Sequence, residues 1–282
     1  GPPKSVPTGY TEAFADTIIK LAEQDLRIVA ITAAMPGPTG LIQFQEHFPD
    51  RFFDVGIAEQ HAVTAAAGMA MGGMRPVVAL YSTFLNRAWD QVVYDVAMHR
   101  LPVIFCLDRA GITGDDGPSH HGIYDMALLS KVPGMRLLAP SSAQDLAQML
   151  EDAISLADSG PVAIRYPKGL ARSVGEREVG SGLHAHKLRN SSVPNVCVLA
   201  IGKMVAAAES AVDALASREL LHRHRKRATV INQGIGGAQR VDVGKDARHE
   251  ISPSNGRYRP DQHCRSRRKA RKGDPVLSAV RT

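Results

Sequence analysis

Short apolar runs alternate along this chain with longer stretches in which apolar residues return every three or four positions. RIVAIT (27–32), RPVVALY (75–81), LPVIFCLD (101–108), MRLLAP (135–140) and PVAIRYP (161–167) are β-branched or apolar runs of strand length. Segments 10–24, 57–71, 84–98 and 143–157 carry the helical spacing between them. The alternation predicts an α/β fold, a doubly wound parallel sheet with helices on both faces. In such sheets ligands bind beyond the carboxyl ends of the strands, so the residues just after each strand carry the functional interest.

The pattern changes after residue 174. GEREVGSGLHAHKLRNSS (175–192) is polar and glycine-containing and reads as a linker. A smaller unit follows over 193–232, with VCVLAIG (196–202) as a buried strand, 204–220 as an amphipathic helix and ATVIN (228–232) as a second strand. Beyond Asn232 the periodicity ends. Residues 233–282 hold one aromatic, Tyr258, and the run CRSRRKARK. Such a composition buries too little apolar area to offset its ordering entropy, so disorder is expected there. The chain thus divides into an extension (1–9), a main domain (10–174), a linker (175–192), a partial second unit (193–232) and a basic tail.

Charge follows the same division. The formal net charge is +6, yet residues 218–282 hold 17 Lys+Arg against 6 Asp+Glu, a surplus of 11 that leaves the preceding part net acidic. A basic tail raises the reading of a non-catalytic interaction protein that binds nucleic acid. The tail lacks the interleaved aromatics of a base-stacking platform, which argues against it. Cys106, Cys197 and Cys264 are too widely spaced for a metal site or a disulfide framework and point to a reducing, cytoplasmic setting. No apolar run reaches the roughly 18–20 residues of a membrane span, and no secretory leader is expected. Gly rather than Met stands first, which reads as a processing scar or a cut inside a longer chain.

Four segments carry candidate chemistry. In DVGIAEQHAVTAAAGMAMGG (54–73) the only charge after Asp54 is Glu59, at the mouth of an apolar helix. Either it favours the helix dipole, an effect of about 0.3–1 kcal/mol, or it meets a ligand. YSTFLNRAWDQ (81–91) places Tyr81, Phe84 and Arg87 at i, i+3, i+6 after a strand. The aromatics either pack in the core or offer a face to a flat heterocycle, and Arg87 is either solvated or paired with an anion. DRAGITGDDGPSHHGIYD (108–125) is rich in glycine and acids, as an active-site segment would be. Its adjacent His120 and His121 cannot make the i, i+4 pair of a helical zinc site and suit proton transfer or hydroxyl binding. No metal-ligating set is expected: GDDG (114–117) is not followed by an Asn before Asn190, as a diphosphate and magnesium motif would require. RYPKG (165–169) sets Arg165 and Lys168 at a strand end, where they bind phosphate or form a solvated rim.

DVGIAEQHAVT, YSTFLNRAWDQ, LDRAGITGDDGPSHHG and GPVAIRYPKG, in this order, resemble the central part of the 1-deoxy-D-xylulose-5-phosphate synthase family, thiamine-diphosphate enzymes of the transketolase superfamily. The likeness runs from Tyr10 to Ser173 and continues more weakly through 196–232. It implies the pyrimidine-binding domain of that fold followed by the start of a transketolase C-terminal-like domain. By this resemblance Glu59 hydrogen-bonds a nitrogen of the cofactor's aminopyrimidine and promotes its imino tautomer, helped by an apolar pocket that favours the protonated acid. Phe84 would stack on the aminopyrimidine. Tyr81, Arg87, Arg109, Asp116 and His120 would line the site for pyruvate and glyceraldehyde 3-phosphate, with Arg87 and Arg109 as anion binders and His120 handling protons. Lys168 stands where many members have arginine, keeping charge without the bidentate fork.

The resemblance also implies what is missing. The family's diphosphate and Mg2+ site lies on an N-terminal domain that these residues do not match, and the likeness ends after ATVIN. The expectation is therefore a fragment or truncated form, inactive alone, whose complete enzyme is a homodimer. The nearest rival is the β-type subunit of a split transketolase or 2-oxoacid dehydrogenase, with a partner chain carrying the diphosphate-binding domain.

Overall fold

The computed structural model describes residues 8–189, 196–219, 228–232 and 235–236. In chain order the main domain contains α1 (Tyr10–Gln24), β1 (Ile28–Thr32), α2 (Ile42–His47), β2 (Phe52–Asp54), α3 (Glu59–Met71) and β3 (Arg75–Tyr81). It continues with α4 (Trp89–Gln91), β4 (Ile104–Asp108), α5 (Asp125–Leu129), β5 (Arg136–Leu138), α6 (Ala143–Leu156) and β6 (Val162–Arg165). Six strands lie parallel in the order β2-β1-β3-β4-β6-β5.

All five strands expected from the apolar runs form. Alternate residues of each strand serve opposite faces, as a period of two demands. Ile28, Ala30, Val77, Ala79, Ile104 and Cys106 pack with Phe14 and Ile18 of α1 and Leu146 and Leu150 of α6. Ile31, Val78, Leu80, Phe105 and Leu107 pack with Ala62, Val63 and Ala66 of α3 and with Val92 and Val96. Each fully buried Leu, Ile or Phe contributes about 1.5–3 kcal/mol, so the two faces together hold the sheet. α6 starts where Ser142 Oγ accepts a hydrogen bond from the backbone N–H of Asp145 at 3.0 Å, while Asp145 accepts from the Ser141 N–H at 2.8 Å.

Several local expectations change. β2 and α2 are short and half-exposed, which left no clear apolar period in the sequence. The stretch expected as one helix over 84–98 is a 3₁₀ turn (Phe84–Ala88), the α-helical turn α4, and a π-helical segment (Val92–Ala97). α3 begins at Glu59 rather than residue 57 because its N-cap, Ala58, has φ −143° and ψ 65°, outside the helical region.

A second sheet is built from β7 (His186–Lys187), β8 (Val196–Ala200) and β9 (Ala228–Asn232), with α7 (Met204–Glu219) joining the parallel pair β8 and β9. β7 comes from within the segment expected to be linker. It pairs antiparallel with β9, a long-range partner that local composition does not reveal. Glu209 on α7 is buried and meets Arg172 at 2.8 Å and Arg189 at 2.9 Å, tying this unit to the end of the main domain. β10 (Ile235–Gly236) pairs antiparallel with the β5 edge of the large sheet. The rest of the stretch expected to be disordered, 233–234 and 237–282, lies outside the described residues, as does the extension over 1–7. Among the described residues no helix is long and apolar enough to cross a membrane.

Candidate functional site

The order β2-β1-β3 makes the chain change the side on which it adds strands between β1 and β3, which run parallel, and such a switch point leaves a crevice at their carboxyl ends. Tyr81 closes β3 there. The following 3₁₀ turn has three residues per turn, so Phe84 and Arg87 share one of its faces. The Tyr81 and Phe84 rings stack at 5.7 Å and 10°, and His120 sets its edge against both, at 6.3 and 5.5 Å. The aromatics thus form a ledge at the strand end, with Phe84 only half-buried.

Glu59 enters the same crevice from the first turn of α3. Asp54, at the end of β2, accepts hydrogen bonds from the N–H groups of Ala34 (2.7 Å) and Gly56 (3.0 Å) and closes the turn that aims the helix. Glu59 is 4% exposed. Arg87 Nη1 donates to its Oε2 at 3.1 Å and to the Ile57 carbonyl at 3.0 Å. The apolar pocket expected around Glu59 is therefore apolar on the helix side and cationic on the other. Oε1 takes no donor among the described residues. A buried carboxylate with one oxygen open, next to an aromatic ledge, fits an N–H-bearing flat heterocycle such as an aminopyrimidine.

Beyond β4 the chain enters the 108–125 loop. Asp108 is fully buried, and burial pushes its carboxyl above the usual carboxylate range against the opposing pull of Thr11 and Arg109. Arg109 lies with its guanidinium 4.4 Å over the Tyr81 ring. Gly122 pairs with Gly111 through two N–H to carbonyl bonds of 2.8 and 2.9 Å, closing the loop on itself. A Cβ at Gly122 would stand 2.5 Å from Ser82 and 2.7 Å from the Arg109 carbonyl, so only glycine permits the approach. Thr83 Oγ1 donates to the Ser119 carbonyl at 3.1 Å, fastening the β3 turn to the histidine segment.

The two cations at the end of β6 and just beyond it, Arg165 and Lys168, both face acids of this loop. Lys168 donates to Asp116 at 2.7 Å and to Asp115 at 3.4 Å. That contact holds Asp116 below the usual carboxylate range and raises Lys168 above the usual amine range. Arg165 donates Nε to the buried Asp125 at 2.7 Å. His120 Nδ1 lies 3.1 Å from Ser119 Oγ, and His121 Nδ1 accepts from the Thr113 N–H at 3.2 Å. His121 is thereby tied to the loop, while His120 belongs to the aromatic ledge. Among the described residues no group of three or more His, Cys, Asp or Glu could hold a metal.

The structure brings Glu59, Arg87, Tyr81, Phe84, His120 and Arg109 together, and joins Asp116 to Lys168 at the rim. Sequence reasoning missed Thr11, Asp108 and Asp125. Asp108 ends a strand in a loop of many acids, and position after the strand was the one signal that could have found it. Thr11 lies 97 residues from its partner and left no signal.

A doubly wound sheet with an acid and an aromatic ledge at its switch point defines the class. Residues 7–174 match the transketolase pyrimidine-binding domain, and the chain belongs to that family. Within it, the sequence is similar to 1-deoxy-D-xylulose-5-phosphate synthases. The protein of that name from Mycobacteroides abscessus is 47% identical over 268 residues, covering 83% of this chain and 40% of the relative. That from Mycobacterium avium is 56% identical over 193 residues, covering 68% of this chain and 29% of the relative. The chain therefore spans less than half the length of the curated relatives it matches. Among solved structures, a split-gene transketolase described as an inactive beta4 tetramer is 26% identical with a TM-score of 0.69, over 80% of this chain and 71% of that one.

Proposed function

We propose that this chain carries the aminopyrimidine half of the thiamine-diphosphate site of a 1-deoxy-D-xylulose-5-phosphate synthase, the enzyme that condenses decarboxylated pyruvate with glyceraldehyde 3-phosphate toward isoprenoid precursors. The observation that carries it is the buried Glu59, linked through Arg87 to the same 3₁₀ turn that presents Phe84. When bound, thiamine diphosphate supplies the nucleophilic carbon and the electron sink for decarboxylating a 2-oxo acid. Glu59 would offer its open Oε1 to a ring nitrogen and share that nitrogen's proton, and the low-dielectric floor of α3 would strengthen that bond. Phe84 gives the ring a face. Arg109 takes a substrate oxyanion above Tyr81, and His120 moves or binds protons and hydroxyls at the ledge. Asp116, fixed by Lys168, narrows the rim, so Lys168 acts there through Asp116 as much as on a phosphate.

The diphosphate and Mg2+ belong in this reading to a companion segment, in the same longer chain or in a partner subunit, with a homodimer as the complete form. The likeness to a split-gene transketolase supports the partner-chain version of that arrangement. Co-expressing this chain with a diphosphate-binding domain from a related synthase tests it. Turnover of pyruvate with glyceraldehyde 3-phosphate is expected from the pair and not from this chain alone. Full activity of the purified chain with thiamine diphosphate and magnesium would overturn the division of the site.

A further inference from the structure

Arg109 is held in place by both backbone and side chain. Its φ of +58° lies in the left-handed region that residues other than glycine seldom enter. Asp108 supports that conformation directly: its Oδ1 accepts the Arg109 backbone N–H at 2.6 Å, and its Oδ2 accepts Arg109 Nη1 at 2.9 Å. Thr11 Oγ1 donates to the same Oδ2 at 2.7 Å. Arg109 Nη1 donates a second time, to the Pro38 carbonyl at 2.8 Å. The loops after β1 and β4 and the start of α1 thus converge on one guanidinium.

With Nη1 engaged twice, the donors that remain are Nε and Nη2, one edge of the planar fork. Nε is buried and has no partner among the described residues. A buried cationic N–H without an acceptor is costly, and the edge matches two oxygens carried on one centre, as a carboxylate or a phosphate presents them. Lysine at this position would keep the charge and lose the edge. We propose that Asp108, backed by Thr11, is a positioning residue that occupies Nη1 of Arg109 and leaves its Nε/Nη2 edge to select an oxyanion bidentately. The proposal rests on reading Arg109 as an anion binder and adds what sets its geometry.

The test uses the full chain with ¹⁵N-labelled arginine, the Arg109 Nε–H resonance being assigned by its loss in Arg109→Lys. In the wild type this resonance is expected to exchange slowly and to shift on titration with pyruvate or, separately, with inorganic phosphate. Asp108→Asn is expected to speed its exchange and weaken probe binding by about tenfold or more, the scale of a lost charge-assisted hydrogen bond. Thr11→Val, nearly isosteric and tolerant of folding, is expected to move both quantities the same way by roughly threefold. A shift with one probe alone supports the proposal and identifies which group the edge takes. Wild-type exchange and affinity in a folded Asp108→Asn or Thr11→Val variant would overturn the positioning role while leaving Arg109 as the anion binder. Should Asp108→Asn fail to fold, the Thr11→Val result decides. No shift with either probe, or unchanged binding in Arg109→Lys, would overturn both readings.

Discussion

Arg87 donates to Glu59 across 28 residues of sequence, Nη1 to Oε2 at 3.1 Å. The arginine is half-exposed and the carboxylate is buried, so the charge that α3 hides on one side is compensated from the solvent side. The pair also fixes the distance between the acid and the aromatic ledge, because Arg87 and Phe84 share one short turn.

Replacing Glu59 separates its structural role from its chemical one. Glu59→Gln keeps the shape and an acceptor for Arg87, so the chain is expected to lose under about 1 kcal/mol of stability in chemical denaturation. In enzyme completed with the diphosphate-binding domain, the same change is expected to lower turnover by roughly 10²–10⁴-fold, because an amide cannot share the proton. Deuterium exchange of the bound cofactor's thiazolium proton checks this before any substrate is added. Wild-type exchange would return Glu59 to the dipole alone.

The contact between Lys168 and Asp116 makes the rim sensitive to acid. The folded-state value of Asp116 lies below its ordinary 3.8, chiefly through the hydrogen bond from Lys168. A depressed carboxyl stabilises the fold above its unfolded value, and the contribution disappears as pH falls through the folded value. Hydrogen exchange of loop 114–121 is therefore expected to be slower in the wild type than in Lys168→Met at pH 6, with the difference shrinking below pH 3.8. Lys168 shifts upward, so its own part of the contact persists until the pH rises past the ordinary lysine value of 10.5. A difference that is constant from pH 6 to pH 2 would contradict the assignment.

Gly122→Ala is expected to destabilise the chain by about 2 kcal/mol or more, the scale of overpacking against backbone. Its Cβ would meet both Ser82 and the Arg109 carbonyl, and a carbonyl cannot turn aside as a side chain can. Thermal melting measures the loss. Ser82→Gly should restore only part of it, since the Arg109 carbonyl remains.

Asp125 and Arg165 form a buried clamp on the 108–125 loop, with side chains 1% and 17% exposed. Asp125→Ala would leave a largely buried guanidinium unpaired, at a cost of about 3–5 kcal/mol. Removing both charges with Asp125→Asn and Arg165→Met should cost less than the sum of the single changes. A double-mutant cycle in urea reads the coupling, and strict additivity would show that the pair does not act as a unit.

The sequence by itself determined the parallel α/β architecture, the strands β1, β3, β4, β5, β6, β8 and β9, the helices α1, α3 and α6, and the candidates Glu59, Tyr81, Phe84, Arg87, Arg109, Asp116, His120 and Lys168. Those are properties of local order: a period of two or of about 3.6 records which side of the chain is buried, and a residue just after a strand lies at the ligand end of a parallel sheet. Only the tertiary structure decided the partners. Local spacing leaves Arg87 either solvated or paired with an anion, and Arg165 and Lys168 either at a phosphate or on a solvated rim; in the fold they are engaged with Glu59, Asp125 and Asp116. β2, β7 and the 3₁₀ and π turns of 84–97 were likewise set by contacts with distant strands and helices. Thr11 and Asp108, 97 residues apart, meet because α1 and β4 pack in one sheet-and-helix layer. A hydrogen bond needs two groups within about 3 Å, and that proximity is a property of the folded chain that no window of local sequence contains.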